Sequence, residues 1–101
     1  MGTFHFGCKV ENHVKRERST RIGKMLVDTG SDFTWIATAS LEGISIAPEK
    51  KGVAFVVANG QTVTRDIGFA IIRVDKHFTI DEVVFSKRGD LQLLGARTLK
   101  A

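Results

Sequence analysis

The chain has little of several residue types, and each shortage excludes a class of structure. Its 101 residues include one cysteine, one proline and no tyrosine. The single Cys8 cannot form an intramolecular disulfide or a cysteine-type zinc site. No apolar run reaches transmembrane length, and charged residues interrupt the N-terminal segment too early for a signal peptide. We therefore expect a cytoplasmic protein that makes no contact with a membrane.

The length and the remaining composition predict one small all-β domain over residues 1–101. Ten glycines and seven phenylalanines, together with many Val, Ile and Thr, favour short strands with tight turns over a helical bundle. A chain of this length buries one modest core. The predicted strands are 3–11, 21–28, 33–37, 53–58, 61–74 and 78–85. Loops are predicted at 12–20, 47–52 and 86–90, and a short helical turn at 39–43.

The net charge of +4 is concentrated in one segment. Between residues 15 and 24, five basic residues face only Glu17. We interpret this run as a solvated loop that could steer an acidic partner. A basic β-domain that binds nucleic acid is an alternative, but no aromatic residues alternate with the basic ones as stacking on bases requires. We therefore expect no nucleic-acid partner.

An aspartate on a tight turn is the most informative feature of the sequence. The apolar run 25–27 is typical of the end of a buried strand, residues 29–31 (Thr-Gly-Ser) form turns, and residues 32–36 (Asp-Phe-Thr-Trp-Ile) return to β-prone sequence. Asp28 therefore lies where a strand meets a turn, from which a carboxylate can exchange protons with a substrate. About sixty residues later, a second apolar run ends at Gly95.

Together the two segments resemble the aspartic protease superfamily, in which an apolar-apolar-Asp-Thr-Gly-Ser/Ala loop packs against an apolar-apolar-Gly segment. The spacing to Leu-Leu-Gly at 93–95 is similar to that of a single-lobe, retroviral-type protease, a retropepsin. Bacterial retropepsin-like proteins are similar to the whole chain, since they also begin Met-Gly-Thr-Phe-His. The resemblance implies an all-β acid-protease barrel with a flap hairpin and at most a short helix near the C-terminus.

The chemistry of that family implies a second chain. Hydrolysis by carboxyl groups needs one carboxylate to take a proton from water and one carboxylic acid to give a proton to the scissile carbonyl. One lobe has one aspartate of this kind, so the resemblance implies a homodimer whose two Asp28 side chains share a proton. Thr29 links the two loops in the family, and Gly30 allows close approach. We predict Asp28, Thr29 and Gly30 as catalytic residues, with no metal and no cofactor.

Further residues are expected to bind the substrate. The Asn-Gly pair at 59–60 predicts a hairpin with a type I′ turn, and the resemblance makes this hairpin the flap. A hydroxyl at Ser31 is expected to donate to the ionised aspartate, and the resemblance pairs Asp32 with Arg97. The predicted substrate-binding residues are Ser31, Asp32, Ala58, Asn59, Gly60 and Leu91.

The predicted activity is that of an aspartic endopeptidase that cuts an extended peptide or protein chain between apolar residues. Trp35 and Leu93 fit either a substrate pocket or the core, and the sequence leaves both interpretations open. The main alternative function is a non-catalytic retropepsin-like domain that uses the same groove for peptide binding or dimerisation.

Overall fold

The computed structural model describes residues 5–57 and 59–99, and within them the chain forms seven strands and two short helices. The elements are β1 (His5–Glu11), β2 (Ser19–Val27), β3 (Thr34–Ala37), α1 (Thr38–Gly43), β4 (Lys50–Val56), β5 (Thr62–Val74), β6 (His77–Ser86), β7 (Leu93–Leu94) and α2 (Ala96–Leu99). The predicted all-β class is confirmed, and α2 is the short helix implied near the C-terminus. None of the helices in the described part of the chain has the length and apolarity to span a membrane.

The strands form one sheet that closes on itself. Its neighbours follow the order β1-β2-β7-β3-β6-β5, and a second pairing of β1 with β5 completes the ring. Strand β4 is added to β5 at the edge. The two-residue β7 runs parallel to β2 and antiparallel to β3. It therefore joins the strands that precede and follow the turn of Asp28.

Alternating side chains of the strands fill the interior of the ring. Cys8 and Val10 of β1 and Val83 and Phe85 of β6 belong to one buried cluster, as the two-residue period of a strand requires. Burying a side chain such as Val83 or Phe85 stabilises the fold by roughly 1.5–3 kcal/mol relative to leaving it exposed. Burial also raises the pKa of the Cys8 thiol to about 11. The cysteine therefore stays protonated and packs as a small apolar residue.

Strand β4 begins earlier than the sequence predicts. Residues 47–52 are expected to form a loop, but Lys50 already pairs with Ile67, and the register then shifts before Val53. Gly52 has a φ of 64° and donates its N–H to Asp66 Oδ1 at 3.1 Å. This irregularity lets an edge strand include charged residues. The loop prediction is therefore wrong for residues 50–52.

A close backbone crossing fixes the position of the turn that follows β2. A Cβ added to Gly95 would collide with the carbonyl group of Phe33 and would lie 2.8 Å from the carbonyl oxygen of Asp32. Backbone atoms cannot move aside as the end of a flexible side chain can. Residue 95 must therefore be glycine for the segment after β7 to pass beneath residues 32–33.

We expect Gly95→Ala to destabilise the protein by about 3 kcal/mol, because the added methyl group overlaps with backbone. Urea denaturation measures the loss. Gly23→Ala is the matched control, since a Cβ at Gly23 meets nothing within 4 Å. If Gly95→Ala and Gly23→Ala are equally stable, the backbone at Gly95 does not pass as close to Phe33 as described.

A buried carboxylate supports the closure between β1 and β5. Glu11 is 5% exposed and accepts a hydrogen bond from Arg73 Nε at 3.0 Å, with Lys9 Nζ at 3.4 Å from the same oxygen. Burial opposes ionisation of Glu11, but the hydrogen bonds and charges of Arg73 and Lys9 outweigh it and hold its pKa below the usual value. Lys9 and Arg73 face each other in the β1–β5 pairing, so the ionised carboxylate holds the two strands together.

The contribution of Glu11 should depend on pH. Because its folded-state pKa is lowered, ionisation stabilises the fold above the unfolded pKa of about 4.3, and this contribution disappears as the pH falls through the folded pKa. We expect Glu11→Gln to lose about 1–2 kcal/mol at neutral pH and less at about pH 3. Urea denaturation at both pH values tests this, and an equal loss at each would contradict it.

Candidate active site

Asp28 follows directly after β2 and is held there by β7. Its backbone N–H donates to the carbonyl oxygen of Leu94 at 3.0 Å and so continues the parallel pairing of Val27 with Leu94. The paired ends of β2 and β7 are apolar, and the chain reaches the surface directly after them, at Asp28. The side chain is partly exposed, and Thr29 and Gly30 are exposed.

The turn itself orients the carboxylate. Gly30 donates its N–H to Asp28 Oδ1 at 3.0 Å, and Ser31 donates its N–H to the Asp28 carbonyl at 3.2 Å. A Cβ on Gly30 would lie 3.2 Å from Asp28 Oδ1, which is closer than such contacts normally are. Within residues 5–57 and 59–99, the N–H of Gly30 is the only hydrogen-bond donor to this carboxylate. The turn therefore fixes one oxygen and presents the group at the surface.

The far end of the turn is also tied to the segment after β7. Ala96 donates its N–H to the Ser31 carbonyl at 2.7 Å, and Arg97 donates to the Asp32 carbonyl at 3.3 Å. Together with the bond from Asp28 to Leu94, these bonds hold both ends of the loop against residues 94–97. The sequence prediction that the Asp-Thr-Gly loop packs on the second apolar segment agrees with this geometry.

A chain of buried hydroxyl groups lies beneath the loop. Thr34 Oγ1 accepts the N–H of Gly95 at 3.0 Å and lies 2.6 Å from Thr98 Oγ1, which in turn donates to Asp81 Oδ2 at 3.1 Å. Because the Thr98 proton is used on Asp81, Thr34 must donate to Thr98. Residues from β3, β6 and α2 are thus linked by one directed series of bonds. Sequence reasoning missed these residues, since isolated threonines carry no signal of partners so distant in the chain.

Two expected side-chain contacts of the loop are wrong. The Ser31 hydroxyl donates to the carbonyl oxygen of Phe33 at 2.9 Å rather than to Asp28. The Arg97 guanidinium bonds to Glu82 Oε1 at 3.4 Å and lies over the ring of Phe33, so it does not form the ion pair expected with Asp32. Arg97 lies on α2, and its side chain extends towards Glu82 on β6. Asp32 is exposed on the loop.

The predicted flap is the hairpin of β4 and β5, but its turn differs from the prediction. Val57 N–H donates to the Gln61 carbonyl at 2.9 Å, and Gly60 N–H donates to the Val57 carbonyl at 2.8 Å. Gly60 has a φ of 83°, and the Asn59 side chain accepts the Gln61 N–H at 3.0 Å. Val56 pairs with Thr62, so three residues rather than two lie between Val57 and Gln61. This is a longer loop with glycine at its left-handed position, not a type I′ turn. The predicted site residue Ala58 lies outside the described residues.

An aromatic cluster joins the flap hairpin to the loop. The ring of Phe55 on β4 lies edge-on to Phe33 at 5.5 Å and to Trp35 at 5.3 Å between centroids. Trp35 is 8% exposed, and Leu93 packs against the same cluster. Trp35 is therefore a core residue of this second cluster, and Leu93 is a partly buried residue packed against it. Phe55 was not predicted, because the sequence does not show which strand packs against Phe33 and Trp35.

Leu91 lies at the surface, on the segment that leads from β6 to β7. Its side chain is 66% exposed, unlike Leu93 and Leu94, which enter the sheet. A cavity of about 600 Å³ is lined by residues of α1 and of the β6–β7 loop, and Asp28 is not among its lining residues. The Asp28 carboxylate therefore lies outside this cavity.

The closed ring and the anchored Asp-Thr-Gly turn together define an all-β protein of the acid-protease class. A family model described as aspartyl protease matches residues 16–95, from the loop after β1 to Gly95. The chain belongs to this retropepsin-like aspartyl protease family, and the predicted resemblance is confirmed. No curated protein matches the chain.

We expect Thr34→Val to destabilise the protein by about 1–3 kcal/mol, because valine leaves the buried N–H of Gly95 unpaired at nearly constant volume. Urea denaturation measures the loss, and hydrogen exchange at the Gly95 amide locates it. Thr34→Ser retains the hydroxyl and is the control. The directed series of bonds is wrong if valine and serine give the same stability.

Proposed function

We propose that the chain is an aspartic endopeptidase that hydrolyses peptide bonds with a water molecule held between two Asp28 carboxyl groups, one from each protomer of a homodimer. The observation that carries this proposal is the fixed, surface-facing carboxylate on its turn. Gly30 orients one oxygen, and residues 94–97 hold both ends of the turn. Family membership supports the peptidase class.

The chemistry explains why a partner chain is part of the proposal. One carboxylate removes a proton from water as the oxygen attacks the scissile carbonyl carbon, and the second, protonated carboxyl group gives its proton to the carbonyl oxygen. The tetrahedral diol then collapses: the C–N bond breaks, the amine leaves with the proton that the first carboxyl group took from water, and a diol hydroxyl returns a proton to the second carboxylate. Two carboxylates so close cannot both ionise, so the pair holds one proton in the resting state.

A two-fold axis at the turn would supply the second group. An isologous dimer brings the same patch of each chain together, and the exposed Thr29 and Gly30 are adjacent to Asp28 on that patch. In this arrangement Thr29 donates across the axis to the partner loop, and Gly30 allows the substrate backbone to approach. Each protomer contributes half of the site.

The surface around the turn suits an extended peptide. Val56 on the flap hairpin is 75% exposed and Leu91 is 66% exposed, so both offer apolar contacts to substrate side chains. The polar groups of Asp32, Asn59 and Gly60 are exposed and suit the backbone of a bound strand. We therefore propose a peptide or protein substrate with apolar residues beside the scissile bond.

We expect Asp28→Asn to lower the cleavage rate by at least about a thousand-fold, because an amide cannot exchange the proton. The measurement is digestion of a mixed peptide library from acidic to neutral pH at high protein concentration. Asp75→Asn is the matched control: it removes one carboxylate at the exposed turn between β5 and β6 and should retain activity.

Mixing the two proteins tests the dimer separately. If each site needs two Asp28 residues, activity per wild-type chain should fall to about a tenth in a roughly nine-fold excess of Asp28→Asn protein. Unchanged activity per wild-type chain would contradict a shared site. Cleavage by neither protein, with peptide binding or dimerisation retained in both, would support the non-catalytic domain instead.

A further inference from the structure

An ion pair joins the flap hairpin to the loop that carries Leu91. Arg65 of β5 donates from Nε to Asp90 Oδ2 at 2.7 Å and from Nη2 to Asp90 Oδ1 at 2.9 Å. This is the parallel two-bond geometry in which guanidinium and carboxylate groups bind most specifically. The side chains are only 13% and 16% exposed. A third donor, Nη1, bonds to the Thr64 carbonyl at 2.7 Å and fixes the guanidinium on its own strand.

The same carboxylate folds the loop between β6 and β7. Asp90 donates its N–H to the Lys87 carbonyl at 2.9 Å, and Asp90 Oδ2 accepts the N–H of Lys87 at 2.8 Å. Gly89, with a φ of 93°, supplies the left-handed residue that this turn requires. The backbone and the side chain of Asp90 therefore both bond to Lys87 and close this turn, and Arg65 attaches the turn to β5.

The pair lies beside the aromatic cluster that supports the flap. Residues two apart on a strand share a face, so Arg65 is on the same face of β5 as Val63 and Ile67, which both belong to that cluster. On the other partner, Leu91 follows Asp90 directly, and Leu93 enters the cluster two residues later. The exposed Leu91 is thus held between two fixed points.

Each partner of the pair favours the charged form of the other. The hydrogen bonds from Arg65 outweigh burial and hold the pKa of Asp90 below its usual value, while Asp90 raises the pKa of Arg65. The contact therefore persists into mildly acidic solution.

We propose that Arg65 and Asp90 are positioning residues that fix Leu91 as a wall of the substrate cleft, and that they thereby set the preference for a large apolar side chain beside the scissile bond. This inference rests on the proposed peptidase function. Neither residue touches the reacting atoms in this role. They act through Leu91, whose distance from the flap hairpin they determine.

The test compares cleavage of a peptide series that differs only in one residue beside the cut, from alanine through valine and leucine to phenylalanine. In Arg65→Gln we expect the ratio of kcat/KM for phenylalanine over alanine to fall by roughly ten-fold, mainly through KM for the large residue. Arg65→Lys keeps the charge but cannot make the two parallel bonds, and it should show most of the same loss. It is the variant of choice if glutamine prevents folding.

Lys50→Gln is the matched control. It removes a lysine from the same hairpin and breaks an ion pair to Glu82 at 3.1 Å, without contact to residues 87–90, so its kcat/KM ratio should equal that of the wild type. Hydrogen exchange by NMR at the Lys87 and Asp90 amides provides a readout that needs no catalysis, and protection there should fall roughly ten-fold in the Arg65 variants.

The outcomes separate the two proposals. If the wild type cleaves and the Arg65 variants keep the wild-type ratio, the positioning role is wrong, whether or not exchange at Lys87 changes. If the ratio falls equally in Lys50→Gln, the effect is a general one of charge on the hairpin, and the proposal is overturned. If the wild type cleaves nothing, the peptidase proposal fails and the selectivity role fails with it, while the exchange data still report whether Arg65 holds the turn.

Discussion

The close passage of Gly95 beneath the carbonyl of Phe33 is the constraint on which the rest of the site depends. Immediately before this crossing, the two-residue β7 pairs with strands on both of its sides. That short strand brings residues 94–97 within hydrogen-bond reach of both ends of the Asp28 turn. A larger residue at position 95 would separate the two segments, and the turn would lose its support from below.

Local patterns in the sequence were sufficient for most of each strand and for the turn of Asp28, but not for the starts of β2 and β4. Alternation along β1 and β6, the apolar run before Asp28 and the glycine at position 95 each reflect a rule that acts over a few residues. The partners of Ser31 and Arg97 could not be predicted in the same way. Each is chosen by competition among groups that the fold brings together, and Arg97 finds Glu82 only because α2 packs near β6.

The turn of the flap hairpin shows the same limit on a smaller scale. Asn-Gly is compatible with a type I′ turn, but the pairing of Val56 with Thr62 leaves three residues between Val57 and Gln61, and the Asn59 side chain accepts the Gln61 N–H. A dipeptide preference fixes which residues can turn, not how many residues the turn includes. Phe55 was missed for a related reason. A partly buried aromatic residue has meaning only once Phe33 and Trp35 are placed against it.

These contacts divide the flap hairpin into a fixed base and an exposed tip. Phe55 on β4 attaches the base to Phe33, in the loop that follows Asp28. Arg65 on β5 attaches it to Asp90, in the β6–β7 turn. Asn59 and Gly60, at the tip, are exposed. For the proposed substrate cleft, the apolar walls are therefore set by the contacts of Phe55 and Arg65 rather than by the exposed Asn59 and Gly60. Walls that are already held in place before binding reduce the entropy cost of ordering the site when an extended peptide binds.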